Sequence, residues 1–424
     1  MTEQRLFSNQ KLICLIIPLV VEQALTILVG MCDGVMVSSV GEAAISGVSL
    51  VDMINNVILV LFAALATGGA VVVSQYLGRQ DTDNAKAASK QLLYAMCALS
   101  LLLMGAALVL RQHILALIFG RVEADVMENA LVYFLLTATA YPFMGIYNAG
   151  AALFRAMGNS KVSMQVSLLM NGINVVGNAI CIFVLKMGVA GVAVPTVVSR
   201  CVAAVVILLL AANPKQELCL KWGAICRADG KMMGSILRIG VPNACENSFF
   251  QLGRLIVVSM IALFGTVQTS ANAVANTLDS MGIIVGQAMG LAMVTVVGQC
   301  VGAGDPKQVR HYVKKLMLWS YLSMAVCNVL IIVFVEDLIS LYSSLSPETV
   351  ELTKTLVIIH ESCAVALWSA SFVLPNALRA ANDVRFTMLV GIGSMIAFRI
   401  LGSWILCVQM EWGAIGVWVA MILD

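Results

Sequence analysis

Stretches of this chain that run for twenty residues or more without a formal charge include 53–78, 91–110, 129–154, 162–185, 255–278 and 316–335. A helix of about 20 apolar residues crosses the roughly 30 Å hydrocarbon core of a bilayer. Several such runs leave little room for a water-soluble fold. Composition agrees, since 60% of the residues are hydrophobic and 11% charged, against about 25% charged in ordinary soluble domains. The expected fold class is an all-α, polytopic membrane protein.

The chain also contains itself twice. Shifted by 224 residues without a gap, the stretch 18–92 falls on 242–316. Pro18 lands on Pro242, Glu22 on Glu246, Gly41 on Gly265, Gln75 on Gln299 and Asp81 on Asp305. The same offset carries Arg155 onto Arg379 and Lys161 onto Arg385. A period this long marks a duplicated bundle rather than a solenoid.

Apolar periodicity predicts helices over 11–40, 47–77, 91–111, 128–154, 162–185 and 189–212, then over 239–264, 271–302, 315–335, 352–378, 386–408 and from 413 onward. That is twelve spans, six and six. The expected organisation is an N-lobe over 1–212, a polar cytoplasmic linker over 213–238 and a C-lobe over 239–424. The last span starts near Gly413 and reaches Asp424, about half a crossing. The natural chain is therefore expected to continue beyond it. The short polar segment 1–11 has no small-residue cleavage site, so the first helix should be retained.

Loop charge sets the orientation. Eighteen lysines and arginines, among them Arg79, Lys86, Arg155, Lys221, Arg227 and Lys307, fall on the side of the N-terminus. Four fall on the other: Arg111, Arg121, Lys186 and Lys354. Both ends are thus expected in the cytoplasm. Six spans per half give repeats of like orientation, related by an axis along the membrane normal.

Several chemistries find no support. No phosphate-binding G-x-x-x-x-G-K-[ST] loop is present, which argues against ATP-driven pumping by this chain. No H-E-x-x-H or other ligand cluster is read from the spacing, because His360-Glu361 lacks a second histidine. With three histidines and no G-x-S-x-G, the chain is not expected to be an enzyme. Twelve cysteines without a C-x-x-C read as small buried hydrophobes. A net charge of +2 gives no reason to expect a nucleic-acid partner.

The functional signal lies in charges within the spans, which cost at least about 2.5–3.5 kcal/mol each. Six carboxylates fall there: Glu22, Asp33, Asp52, Glu246, Asp279 and Glu361. Arg200, Arg254 and Arg399 join them. Asp33 sits mid-helix, and its counterpart in the repeat is Val257. Asn171, Asn174 and Asn178 recur at i, i+3 and i+7, on one helical face. In the repeat Asn174 becomes Phe398 and Asn178 becomes Gly402. One half thus carries a polar set that its copy lacks. Binding a cation or a proton is the simplest job for it; helix-to-helix hydrogen bonding is the alternative. Glu22 and Glu246 occur in both halves and read as structural or as part of a cavity that Gln23 and Arg254 also line. Asp52 aligns with Asn276 and Asn55 with Asp279, so each second helix keeps a polar spot, expected at the interface between the halves.

With these residues in view, the chain resembles the multidrug and toxic compound extrusion (MATE) family. The carrying stretches are Ile17-Pro18 through Glu22-Gln23, Asp33-Gly34-Val35-Met36-Val37-Ser38 on to Gly41, Ala66-Thr67-Gly68-Gly69 with Ser74-Gln75 and Gly78, Arg155-Ala156-Met157-Gly158-Asn159, and 413–424. The resemblance implies two six-helix lobes forming a V around a central cavity. It implies export of amphipathic, often cationic xenobiotics across the plasma membrane by alternating access, driven by H⁺ or Na⁺. By resemblance, Asp33 is the first-helix acid of the N-lobe cation site, Asn174 its fifth-helix asparagine and Thr196 its sixth-helix threonine. Asn178 stands where some members have a second aspartate. Glu246 matches a seventh-helix glutamate, while the tenth-helix aspartate of such members falls near Trp368. The expected site is therefore Asp33, Asn174, Asn178 and Thr196 for the ion, with Glu22, Gln23, Asp52, Glu246, Arg254 and Asp279 as cavity or coupling residues. No cofactor is expected beyond the coupling ion, and no metal beyond Na⁺ at Asp33. The partners are small-molecule drugs or metabolites and the lipid bilayer, and the chain is expected to be a monomer. A lipid-linked oligosaccharide flippase of related architecture is the alternative, and a membrane sensor or scaffold a third reading.

Overall fold

The computed structural model of the protein describes residues 5–120, 123–219, 229–342 and 345–424. Arg121, Lys221 and Arg227 of the loop-charge argument, and part of the expected linker, lie outside the described residues. Contacts divide the chain into two compact units: Phe7–Val241, and Met1–Leu6 with Pro242–Asp424.

In the first unit the helices are α1 (Asn9–Ser38), α2 (Glu42–Gly78), α3 (Thr82–Phe119), α4 (Ala124–Thr139), α5 (Tyr141–Ala156), α6 (Ser160–Ala179) and α7 (Ala190–Ala211). Helix α8 (Gly230–Ala262) crosses the division. The second unit continues with α9 (Thr266–Gly282), α10 (Ile284–Gly302), α11 (Pro306–Val333), α12 (Val335–Ser340), α13 (Pro347–Trp368), α14 (Leu374–Ala380), α15 (Val384–Ser394) and α16 (Ala414–Leu423). Among the described residues nine helical stretches are long and apolar enough to cross a membrane, or ten when the bent pair α4 and α5 counts as one. Helix α8 is not among them, because Glu246, Gln251 and Arg254 interrupt its apolar length. The outer surface carries large apolar side chains, with Leu117 87% and Val109 78% exposed. An exposed apolar belt of this kind fits lipid, not water. This is a helical membrane bundle.

The predicted span over 128–154 is two helices that meet at Ala140 with a bend of 47°. Pro142, at the start of α5, has no N–H to continue α4. The predicted 91–111 is longer at both ends. Asp81 caps it, accepting from the Asn84 backbone N–H at 3.1 Å and side-chain amide at 2.7 Å. Its repeat partner Asp305 caps α11, accepting from the backbone N–H groups of Lys307 (3.0 Å) and Gln308 (3.1 Å). Capping supplies partners to helix donors that have none within the helix.

The repeat is legible in the turns as well. Gly41 and Gly265, 224 apart, both take positive φ (134° and 91°), and both precede helices. A π-helical turn over Ile180–Val184 ends the α6 span, and another over Trp404–Gln409 lies at the equivalent place. Packing is repeated too: α2 lies against α3, α4 and α5, as α10 lies against α11 and α14, and α9 against α13. Within the first unit α6 packs between α1 and α7. Small residues let α5 approach closely; a Cβ on Gly150 would lie 2.9 Å from Ile207 Cγ2 on α7. In the second unit the buried core gathers around Trp418, with Leu278, Ile331, Leu356 and Val257 in the same cluster.

Candidate functional site

Three helices of the first unit bring the predicted ion residues together. Asn178 Nδ2 on α6 donates to Asp33 Oδ1 on α1 at 2.8 Å. With its amide nitrogen toward Asp33, Asn174 lies 3.1 and 3.2 Å from the two carboxylate oxygens, and its carbonyl faces Thr196 Oγ1 at 3.0 Å. Thr196 sits on α7 and donates to the Val192 carbonyl at 2.9 Å. Asn174, Asn178 and Thr196 are buried, and Asp33 is half-buried. Asn178 Oδ1 is buried and has no hydrogen-bond partner. Asn171 turns away to Ser167 Oγ at 3.3 Å. The close fit of α6 on α7 fixes this arrangement, since a Cβ on Gly177 would lie 2.7 Å from Pro195 Cβ.

Asp33 forms no ion pair among the described residues. Arg200, on α7, acts on it electrostatically and does the same on Asp52, Tyr133 and Tyr141. Arg200 Nη1 is shielded from solvent and has no hydrogen-bond partner. Asp52 Oδ1 accepts from Tyr133 Oη (3.2 Å) and Asn55 Nδ2 (3.3 Å), and Tyr141 Oη donates to Asn55 Oδ1 at 2.9 Å. The polar spot of the first unit's second helix, expected at the interface between the halves, finds these partners within its own unit. Asp52 and Asn55 face α4 and α5 of their own unit, where two tyrosine hydroxyls satisfy them. Tyr133 and Tyr141 escaped sequence reasoning, and Arg200 stood out only as a charge within a span, because no spacing connects residues 52, 133 and 200.

Glu22 lies elsewhere on α1. It accepts from Arg155 Nη1 at 3.2 Å and from Ser163 Oγ at 2.8 Å, and it is buried. In the second unit Arg379 Nη2 reaches Glu246 Oε1 at 2.7 Å. The two pairs are the same pair, 224 residues apart. Gln23, next to Glu22, is half-buried. Arg254 Nη2 donates to Asn276 Oδ1 at 3.2 Å, while Arg379 holds Glu246. Asp279 lies 3.0 Å from His360 Nδ1.

The repeat positions of the Asp33 set carry no comparable polarity. Val257 is buried in the apolar core and Phe398 is exposed on the outside. The second unit is nevertheless not free of buried acid. Asp279, His360 and Glu361 bring ligand atoms within 4.8 Å of one another, correcting the expectation of no ligand cluster. Asp279 comes from α9 and the other two from α13, so a local motif could not reveal them.

The MatE family profile matches residues 18–180 and again 242–405. The two matches begin 224 residues apart (242 − 18), the offset of the repeat. The chain belongs to the MatE family. It is 24% identical over 411 residues to the uncharacterized transporter YisQ of Bacillus subtilis, covering 96% of this chain and 89% of that one. It is 24% identical over 420 residues to a probable multidrug resistance protein NorM of Thermotoga maritima, covering 98% and 89%. A crystal structure of a MATE in the bent conformation superposes with a TM-score of 0.88 at 17% identity, covering 98% of this chain and 91% of that one. The fold of this MatE chain is thus that of solved MATE transporters.

Proposed function

We propose that this chain exports amphipathic, often cationic small molecules across the plasma membrane, and that a cation or proton bound at Asp33 drives the export. The observation that carries the reading is the half-buried Asp33 carboxylate, held by two buried asparagines and in no ion pair among the described residues. An acid in an apolar bundle that is neither paired with a base nor fully exposed is suited to bind and release a positive charge. The carboxylate oxygens, the unpartnered Asn178 Oδ1 and the Thr196 hydroxyl offer hard oxygen ligands suited to Na⁺. The same carboxylate is equally suited to H⁺.

Coupling follows from linkage. An ion drives a transition only if it binds one conformation better than the other. Asp33 on α1 meets the two asparagines of α6, and Asn174 in turn meets Thr196 of α7, so binding there alters how these three helices pack. Alternating access is the transport mode this supports. Relatives named as multidrug resistance proteins support the substrate class. The loop charges support cytoplasmic ends. The two N-lobe pairs Glu22–Arg155 and Asp52–Tyr133 hold the scaffold around the ion site.

The test is ethidium efflux from everted vesicles, with Na⁺ and pH gradients imposed separately. Efflux that follows one gradient supports the reading and names the ion. Efflux that ignores both overturns it.

A further inference from the structure

The second unit holds a polar cluster that the export reading leaves unused. Glu361, on α13, is 0% exposed, and neither of its carboxylate oxygens has a hydrogen-bond partner. Asn328, on α11, is also 0% exposed, and both ends of its amide are without partners. The two converge. A Cβ built on Gly282 would lie 2.8 Å from Glu361 Oε2 and 2.9 Å from Asn328 Oδ1, so the two oxygens flank one point. His360 Nδ1 and Asp279 Oδ1 stand 3.0 Å apart, yet neither makes a hydrogen bond of acceptable geometry. The His360 ring packs edge-on against Trp418 at 5.2 Å, and Trp418 Nε1 donates to Asn272 Oδ1, which fixes the histidine's side of the cluster.

An unpaired charge, or an amide with no partner at either end, is costly to bury. Here a buried carboxylate, a buried amide, an imidazole nitrogen and a second carboxylate share one place, and none is satisfied by protein hydrogen bonds. We infer that Asp279, His360 and Glu361, with Asn328 as a further oxygen, form a binding site for a divalent cation of the zinc class. Charge and ligand type both favour this class. Two carboxylates balance a 2+ ion, and a neutral imidazole nitrogen suits zinc-like ions rather than Na⁺ or Mg²⁺. Zinc binds nitrogen and oxygen at about 2.0–2.2 Å in a tetrahedron, so neighbouring ligand atoms stand about 3.4 Å apart. The ligand atoms of the three residues already lie within 4.8 Å of one another, and a side-chain rotation closes the difference. Bound there, the ion ties α9, α11 and α13 together. Gly282 leaves the room for it. The site is independent of Asp33, which belongs to the other unit.

The probe is Co²⁺, titrated into the purified full chain after chelation and followed by its visible ligand-field absorption. The expected result is one ion per chain with nitrogen and oxygen ligation, displaced by Zn²⁺. Glu361→Gln and His360→Ala are expected to lose at least about a hundredfold in affinity, as ligand loss exceeds the 10–100-fold seen for outer-shell partners. Asp33→Asn is expected to bind Co²⁺ as the parent does, which separates this result from the fate of the export reading. Should a ligand variant fail to fold, Gly282→Ala serves in its place: its methyl group crowds Glu361 and Asn328, and Zn²⁺ should then no longer raise the thermal midpoint. Three outcomes overturn the inference: no tight Co²⁺ binding, equal binding by parent and Glu361→Gln, or thiolate absorption that locates the ion on cysteine.

Discussion

Arg155 reaches Glu22 at 3.2 Å across 133 residues of sequence, and Arg379 reaches Glu246 at 2.7 Å across the same 133. A single ion pair thus ties the fourth span of each repeat to its first. The copies differ in one detail. Ser163 donates to the second oxygen of Glu22, whereas Thr387, at the equivalent position, donates to the Val384 carbonyl and leaves Glu246 Oε2 unpartnered.

Removing one partner of a buried pair leaves the other charge uncompensated, at a cost of about 3–5 kcal/mol. Glu22→Gln is therefore expected to lower thermal stability by an amount in that range. Glu246→Gln is expected to cost less, because that carboxylate has one hydrogen bond fewer. Thermal unfolding of the purified variants measures both, and equal losses would count against the asymmetry.

Gly177 sets the approach of α6 to α7 beside the ion residues. A methyl group there would meet Pro195 at 2.7 Å, and Pro195 cannot swing away. Overpacking of this kind costs typically about 1–3 kcal/mol. Gly177→Ala is expected to lower the thermal midpoint and to weaken ion-driven export together, since Asn174, Asn178 and Thr196 ride on the two helices. Gly172→Ala, in open space on the same helix, is the control and should do neither.

The two helix caps give a pH dependence. Hydrogen bonds from Asn84, through its side chain and backbone, hold the Asp81 carboxyl below its usual range; the Gln308 backbone and side chain do the same for Asp305. A group with a depressed folded pKa stabilises above its unfolded value, about 3.9, and loses that contribution as pH falls through the folded value. The double variant Asp81→Ala, Asp305→Ala should melt below the parent at pH 6. The gap should close as the pH drops below the ordinary carboxylate range. A gap that is constant with pH would contradict the assignment.

Much of this was legible beforehand. Charge-free runs reveal spans because lipid tolerates few charges, and the 224-residue offset shows in Pro18, Glu22 and Asp81 without any structure. Asn174 and Asn178 announced themselves because helical spacing puts i and i+4 on one face. What stayed hidden depends on contacts distant in sequence. Asp52 meets Tyr133, and Asp279 meets His360, across 81 residues each, and no periodicity links such positions. The Glu22–Arg155 pair lies between these cases, since both members were seen to repeat while their partnership was not.

Asn178 offers Asp33 a charge-assisted hydrogen bond, worth about 1.5–3 kcal/mol. Asn178→Leu should therefore alter ion dependence, shifting the Na⁺ or H⁺ concentration for half-maximal export by about tenfold or more. Asn171→Leu, aimed at Ser167, should shift it little.

The central claim is that Asp33 carries the driving ion. Ethidium efflux by Asp33→Asn, in vesicles where the protein is shown to be inserted in normal amount, tests it most directly. Efflux at the level of empty vesicles under either gradient is the predicted result. Efflux equal to that of the parent chain would contradict the account.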